Sequence, residues 1–237
     1  MARQPRSFSG GVVYHVMNRA SGRSRIFHKQ ADYAAFELVL AQAVERFGIR
    51  LLSYVVMPSH WHLVIWPRKG EGEKVSMFMK WLQQTHTQRW HAHCQNAGEG
   101  RLYQGRFKSF PVQNGQGDYQ YLRKLCRYVE RNALRANLVE SAEAWKHGAL
   151  WRRLRGTAEE KRWLAEWPAG SYPGDGKWLA SINQALAGAE ERALAASFRR
   201  GSPFGAEKWQ KGAAEVLGLG HTIRPTGRPR KAGGKAV

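Results

Sequence analysis

The chain has 237 residues, 43% of them hydrophobic, which suffices for one good-sized domain with an appendage and a genuine core. Its 38 Lys and Arg against 18 Asp and Glu give a formal net charge of +20, pointing to a polyanionic partner, nucleic acid ahead of a membrane surface. No apolar stretch approaches the roughly 20 residues of a spanning helix. Residues 1–9 lack the apolar core of a signal peptide, and the two separated cysteines, Cys94 and Cys126, speak against a disulfide framework or a zinc ribbon, so a reducing cytoplasm is expected.

In chain order, residues 10–18 alternate and are rich in β-formers, predicting a first strand followed by a basic turn with Arg19, Arg23 and Arg25. Residues 32–47 set Phe36, Val39, Leu40, Ala43, Val44 and Phe47 on one helical stripe, with Gly48 as its natural stop. A second strand over 49–57 turns at Pro58 and Ser59 into a third, which carries His60 and His62, and the two are expected to pair antiparallel. Trp61, Leu63 and Ile65 oppose Val64 and Trp66 on this hairpin, so both faces of the sheet need cover. Residues 74–94 read as a second helix, and 102–112 as a strand or bent strand pair with Arg106 and Lys108 on one side. Residues 118–133 read as a third helix whose Leu122, Leu125, Cys126 and Val129 form one buried face.

The order β, α, β, β, α, β, α predicts an α+β fold with a ferredoxin-like antiparallel sheet over residues 1–140. Beyond it the texture changes. Residues 141–222, rich in Ala, Glu, Arg and Trp, are read as a small helical appendage with helices near 157–166, 177–199 and 206–217. Residues 223–237 are basic, free of acid and expected to be disordered.

Two histidines one residue apart on a strand project to the same face, so His60 and His62 form either a half-site for a metal ion or a pair packed beside Trp61. On the third helix Tyr121, Tyr128 and Asn132 follow at seven and four residues and border the apolar face. A tyrosine there can be a nucleophile or a half-buried phenol; Asn132 can offer its carbonyl oxygen to the same point or cap the helix end. Arg19, Arg23, Arg25, Arg106 and Lys108, with Arg127, Arg131 and Arg135 of the third helix, are candidates for phosphate contacts, or simply a solvated face. A zinc site from His86, His91, His93 and Cys94 lacks the i, i+4 pair that a helical site prefers. The competing class is a non-catalytic RNA- or DNA-binding module on the same kind of sheet, although the aromatic-rich RNP signature is missing.

His60-Trp61-His62 resembles the His-hydrophobic-His motif of the HUH single-strand nucleases, and Arg127 to Val139 resembles the helix that carries the single catalytic tyrosine of the REP-associated tyrosine transposases, relatives of insertion-sequence transposases. Tyr14-His15-Val16-Met17-Asn18-Arg19, Tyr103-Gln104-Gly105-Arg106-Phe107-Lys108 and the ending Gly227-Arg228-Pro229-Arg230-Lys231 are similar to the same family, so the resemblance touches nearly the whole chain. It implies an HUH nuclease fold in which His60 and His62 bind a divalent cation, Mg²⁺ or Mn²⁺, with Asn132 as third ligand and Tyr128 as nucleophile. The implied substrate is single-stranded DNA near hairpins of repetitive extragenic palindromes, cut through a 5′-phosphotyrosine link and rejoined. One departure is visible: Ala133 stands where the family usually has a proline. The tail's Arg228, Arg230 and Lys231 are further DNA-binding candidates; Gly227-Arg228-Pro229 is similar to the core of minor-groove AT-hook segments, or belongs to a merely solubilising tail. The expected setting is the cytoplasm, at the nucleoid and away from membranes, as a monomer or homodimer.

Overall fold

In the computed structural model, which describes residues 7–95, 98, 100–115, 119–168 and 175–224, four strands form one antiparallel sheet. They are Val13–Arg19 (β1), Arg50–Met57 (β2), His60–Trp66 (β3) and Lys108–Val112 (β4), in the order β2-β3-β1-β4, the arrangement of a ferredoxin-like sheet. The register of β1 on β3 sets Met17 against His62 and Arg19 against His60, so the start of the histidine strand lies beside the end of β1.

The first face of the sheet is covered by α1 (Gln30–Phe47) and α2 (Glu73–Cys94). α1 stops where the sequence asks it to: Gly48 takes φ 62°, a left-handed conformation that costs a residue without Cβ little. Trp61, Leu63 and Ile65 pack here with Phe36, Leu40, Phe78 and Leu82. The opposite face, with Leu52, Val55 and Val64, meets Leu122, Leu125, Cys126 and Val129 of α3 (Gln120–Glu130). The doubly apolar hairpin thus has cover on both sides, and period-2 alternation turns His60 and His62 toward the α3 side with Val64.

α3 pauses at Arg131 and resumes as α4 (Asn132–Arg135). The remaining helices are α5 (Ala149–Arg155), α6 (Ala158–Lys161), α7 (Asp175–Asn183), α8 (Gly188–Arg200), α9 (Glu207–Val216) and α10 (Gly220–Ile223). They share the sheet's core: Leu150, Trp178, Ile182, Leu194 and Phe204 are buried in one cluster with Val64 and Leu125. They also shield both sheet edges. Val56 N–H donates to His147 O at 2.8 Å beside β2, and Phe204 N–H donates to Pro111 O at 2.9 Å beside β4, so neither edge presents a full row of open backbone groups.

Three sequence expectations need correction. The helix expected over 177–199 is two helices, because Arg127 and Arg131 reach in from α3 and donate to the carbonyls of Ile182, Asn183, Gln184 and Ala185, satisfying a helix end in mid-segment. The strand expected over 102–112 is regular only from Lys108. Before it, Asn18 Nδ2 donates to Gly105 O at 3.0 Å and a single bridge joins Ala20 to Tyr103. The third helix is shorter than 118–133; Asp118 itself lies outside the described residues, as do Arg228, Arg230, Lys231 and the rest of the tail beyond Arg224.

Candidate catalytic cleft

The C-terminal end of β1, the start of β3, the 102–107 segment, α3 and α8 converge on a cleft of about 520 Å³. His60, His62 and Tyr128 all line it, together with Arg19, Arg106, Lys108, Arg135 and Arg199; among the described residues no carboxylate does. Three sequence-predicted groups separated by up to 68 positions are therefore brought to one place.

The strand does more than aim the two imidazoles. Their ring centroids are 5.1 Å apart, and each ring has its Nδ1 engaged: His60 with Ser59 Oγ at 3.2 Å, His62 with His15 Nε2 at 2.9 Å. Each ring is left to offer Nε2. Burial first, then the nearby Arg19 and Arg135, pulls His60 down to about 4; burial, the neighbouring histidines and the same arginines hold His62 well below the usual imidazole value. Both are neutral at neutral pH, the state a metal ligand needs. Trp61, between them, faces the other way. It is fully buried, stacks on Phe36 and donates its indole N–H to Tyr103 Oη at 2.9 Å. Tyr103 also hydrogen-bonds His86 Nδ1 at 2.7 Å, so His86 serves the packing beneath the histidine strand, away from the half-buried His91 and the exposed His93 and Cys94.

Tyr128 stands on α3 with its ring centroid 6.1 Å from that of His62. Its hydroxyl accepts a hydrogen bond from Arg135 Nη2 at 3.0 Å, and Arg135 in turn pairs with Glu191 of α8 at 3.2 Å. Burial raises the phenol above its ordinary value; Arg135, Asn132 and Arg19 pull it down and Glu191 pushes it up. Phe198 of α8 closes the cleft, with its ring 4.8 Å from that of Tyr128 and 5.7 Å from that of His62.

Asn132 sits beside Tyr128 but does not line the cleft. It is 2% exposed, and its Nδ2 donates to Tyr128 O at 3.2 Å. Ala133, where the family usually carries proline, is fully buried against the sheet. The basic candidates separate as well. Arg19, Arg106, Lys108 and Arg135 line the cleft, whereas Arg127 and Arg131 hold the end of α7, and Arg23 and Arg25 stay on the exposed turn, Arg25 donating to Phe27 O. Tyr121 packs edge-on against Phe204, away from the cleft.

His15, Phe198 and Arg199 escape the sequence reading. His15 is fully buried, stacked on Phe110 and kept neutral by burial, which pulls it down to about 3. The signal was a histidine on an inward-facing strand position, four residues before the arginine that borders the cleft. Phe198 gave no signal, since it lies in an Ala- and Arg-rich helix.

Residues 9–132, just over half of the chain, match the family described as "Transposase IS200 like". No curated protein matches the chain. Among solved structures, a REP-associated tyrosine transposase bound to a REP hairpin superposes with a TM-score of 0.52 and 16% identity, over 79% of this chain and 99% of that one. A putative transposase from Deinococcus radiodurans aligns with a TM-score of 0.37 and 15% identity, over 52% of this chain and 95% of that one. The sheet, both cleft histidines and Tyr128 all lie inside the matched segment, and the chain belongs to the IS200-like transposase family.

Proposed function

We propose that the protein cuts and rejoins single-stranded DNA at REP-type hairpins, with Tyr128 as nucleophile and a divalent cation held by His60 and His62. The observation that carries this is the meeting of Tyr128 with two neutral imidazoles and the cationic Arg19, Arg106, Lys108, Arg135 and Arg199 in one cleft. That the relative of known structure is bound to a REP hairpin supports the substrate class.

Arg19, Arg106 and Lys108 bind and orient the phosphodiester beside the phenol. Arg135 holds the hydroxyl and favours its ionised form. In the transfer a bond forms between Tyr128 Oη and phosphorus while the bond from phosphorus to the 3′ oxygen breaks. The departing oxygen gains a proton as the phenol loses one, leaving a 5′-phosphotyrosine and a free 3′-hydroxyl. Attack by another 3′-hydroxyl reverses the step and rejoins DNA without an external energy source.

The donor set fits a cation. Both Nδ1 atoms are occupied, so both rings can ligate through Nε2. Among the described residues no group of three His, Cys, Asp or Glu is arranged as a metal site, so the third position falls to an amide, with Asn132 nearest Tyr128, or to phosphate or water. When bound, the cation neutralises charge developing on the non-bridging phosphate oxygens; two imidazoles without a carboxylate leave Mg²⁺ and Mn²⁺ both open.

The test is a hairpin oligonucleotide with single-stranded flanks, incubated with protein and Mn²⁺ and run on a denaturing gel. Wild type should form a covalent adduct and Tyr128→Phe should form none. An adduct with Tyr128→Phe removes the nucleophile assignment, and tight hairpin binding without any adduct favours the non-catalytic module.

A further inference from the structure

Beside the catalytic cleft lies a second, of about 730 Å³, floored by β4 and walled by the C-terminal end of α8 and the turn between α9 and α10. The two clefts share Arg106, Lys108, Phe198 and Arg199, so they adjoin on either side of these side chains. Resting on the nuclease reading above, we propose that this second cleft holds single-stranded DNA running on from the scissile phosphate, which makes α8–α10 a substrate-gripping element outside the family-matched segment.

Charge comes first. Arg106, Lys108, Arg199 and Arg200 line the second cleft with His221, and among the described residues no carboxylate does. Arg199 and Arg200 stand at the C-terminal end of α8, whose dipole carries about half a negative charge there. Two guanidiniums exceed what that dipole needs, and Lys108 adds a further cation from β4. Arg200 is held in place by donating to the Arg224 carbonyl. The lining is also partly apolar. Phe8 is half-buried there, and Val216 is 77% exposed on the rim at the end of α9. A cationic track with apolar surface alongside suits a strand whose bases are unpaired, because a duplex keeps its bases inside and offers that surface nothing.

The experiment uses the full chain and fluorescent hairpin DNA, either blunt beyond the cleavage position or carrying a long single-stranded extension on the 5′ or the 3′ side. The extension on one side should tighten wild-type binding about tenfold and steepen the dependence of log K on log salt by about 0.7 for each phosphate held. Arg200→Glu should remove that gain while leaving affinity for the blunt hairpin within about twofold. Val216→Glu, a change at an exposed position that cannot disturb the core, should reduce the gain in the same direction and guards against a folding defect in the first variant. Equal affinity for blunt and extended hairpins, or an equal loss on both in Arg200→Glu, overturns the proposal; so does an equal gain when the extension is made double-stranded. The Tyr128 adduct is scored separately on the blunt hairpin, so a failure of the nuclease reading and a failure of the second cleft give different results.

Discussion

His15→Phe separates a packing role from a site role more cleanly than any change at the cleft surface. Phenylalanine keeps a flat ring between Phe110, at 4.9 Å, and Phe198, at 4.5 Å, and removes the hydrogen bond to His62 Nδ1. For stability two effects oppose. One buried hydrogen bond, worth about 0.5–1.5 kcal/mol, is lost, but the unpartnered His15 Nδ1, itself a buried cost of similar size, disappears. The net change is within about 1 kcal/mol, a melting shift of about 2–4 °C for a chain of this size. For the site nothing compensates. His62 loses the partner that fixes its ring and tautomer, a kind of change that costs about 10–100-fold in metal affinity. The assay is Mn²⁺ titration followed by electron paramagnetic resonance, beside a thermal melt, with His15→Gln expected to recover part of the affinity because its amide can bond Nδ1. Wild-type Mn²⁺ affinity in His15→Phe, or a loss that only tracks unfolding, refutes the orienting role.

Ending the chain at residue 140 removes Leu150, Trp178, Ile182, Leu194 and Phe204, none more than 4% exposed. At about 1.5–3 kcal/mol each, the loss is comparable to the whole stability of a domain, so the fragment should show no cooperative melt; a sharp one would make 141–222 an independent unit. Tyr103→Phe leaves Trp61 Nε1 and His86 Nδ1 without their buried partner and should lower stability by about 2–4 kcal/mol in urea titration, whereas a change under 1 kcal/mol would mean that water replaces the hydroxyl. Because the phenol of Tyr128 titrates above its ordinary value, adduct formation should rise with pH from 7 to 9, by up to about tenfold per unit. Arg135→Ala removes a cation that lowers the phenol and should slow the reaction at pH 7; an unchanged rate there would separate Arg135 from the phenol.

What could be read from sequence is what depends on spacing alone. Two residues apart on a strand means one face, so His60 and His62 had to lie together, and apolar residues at both parities of β3 had to meet cover on both sides. Gly48 could be named as a stop because the left-handed conformation there penalises a side chain. What could not be read depends on partners distant in sequence. Nothing in residues 184–187 announces that guanidiniums from Arg127 and Arg131 will bond the carbonyls of a helix end there. The same limit hid His15, whose role exists only through the register of β1 on β3, and it left Asn132 ambiguous: its position beside Tyr128 was legible, its bond to the Tyr128 carbonyl was not.

Phe198 shows where the boundary of the site falls. Its ring lies within 6 Å of the rings of His15, His62, Phe110 and Tyr128, one candidate ligand and the proposed nucleophile among them. Yet it belongs to α8, well past the segment that the family match covers. Glu191, one α8 turn after the helix begins, reaches the same centre through Arg135 and raises the phenol that Arg135 lowers. The helices after residue 140 therefore close the back of the cleft, shield both sheet edges and set the charge around Tyr128. In the proposed reaction, groups from β1, β3 and α3 act in a cleft that α8 closes, so the sheet and the C-terminal segment build its walls together.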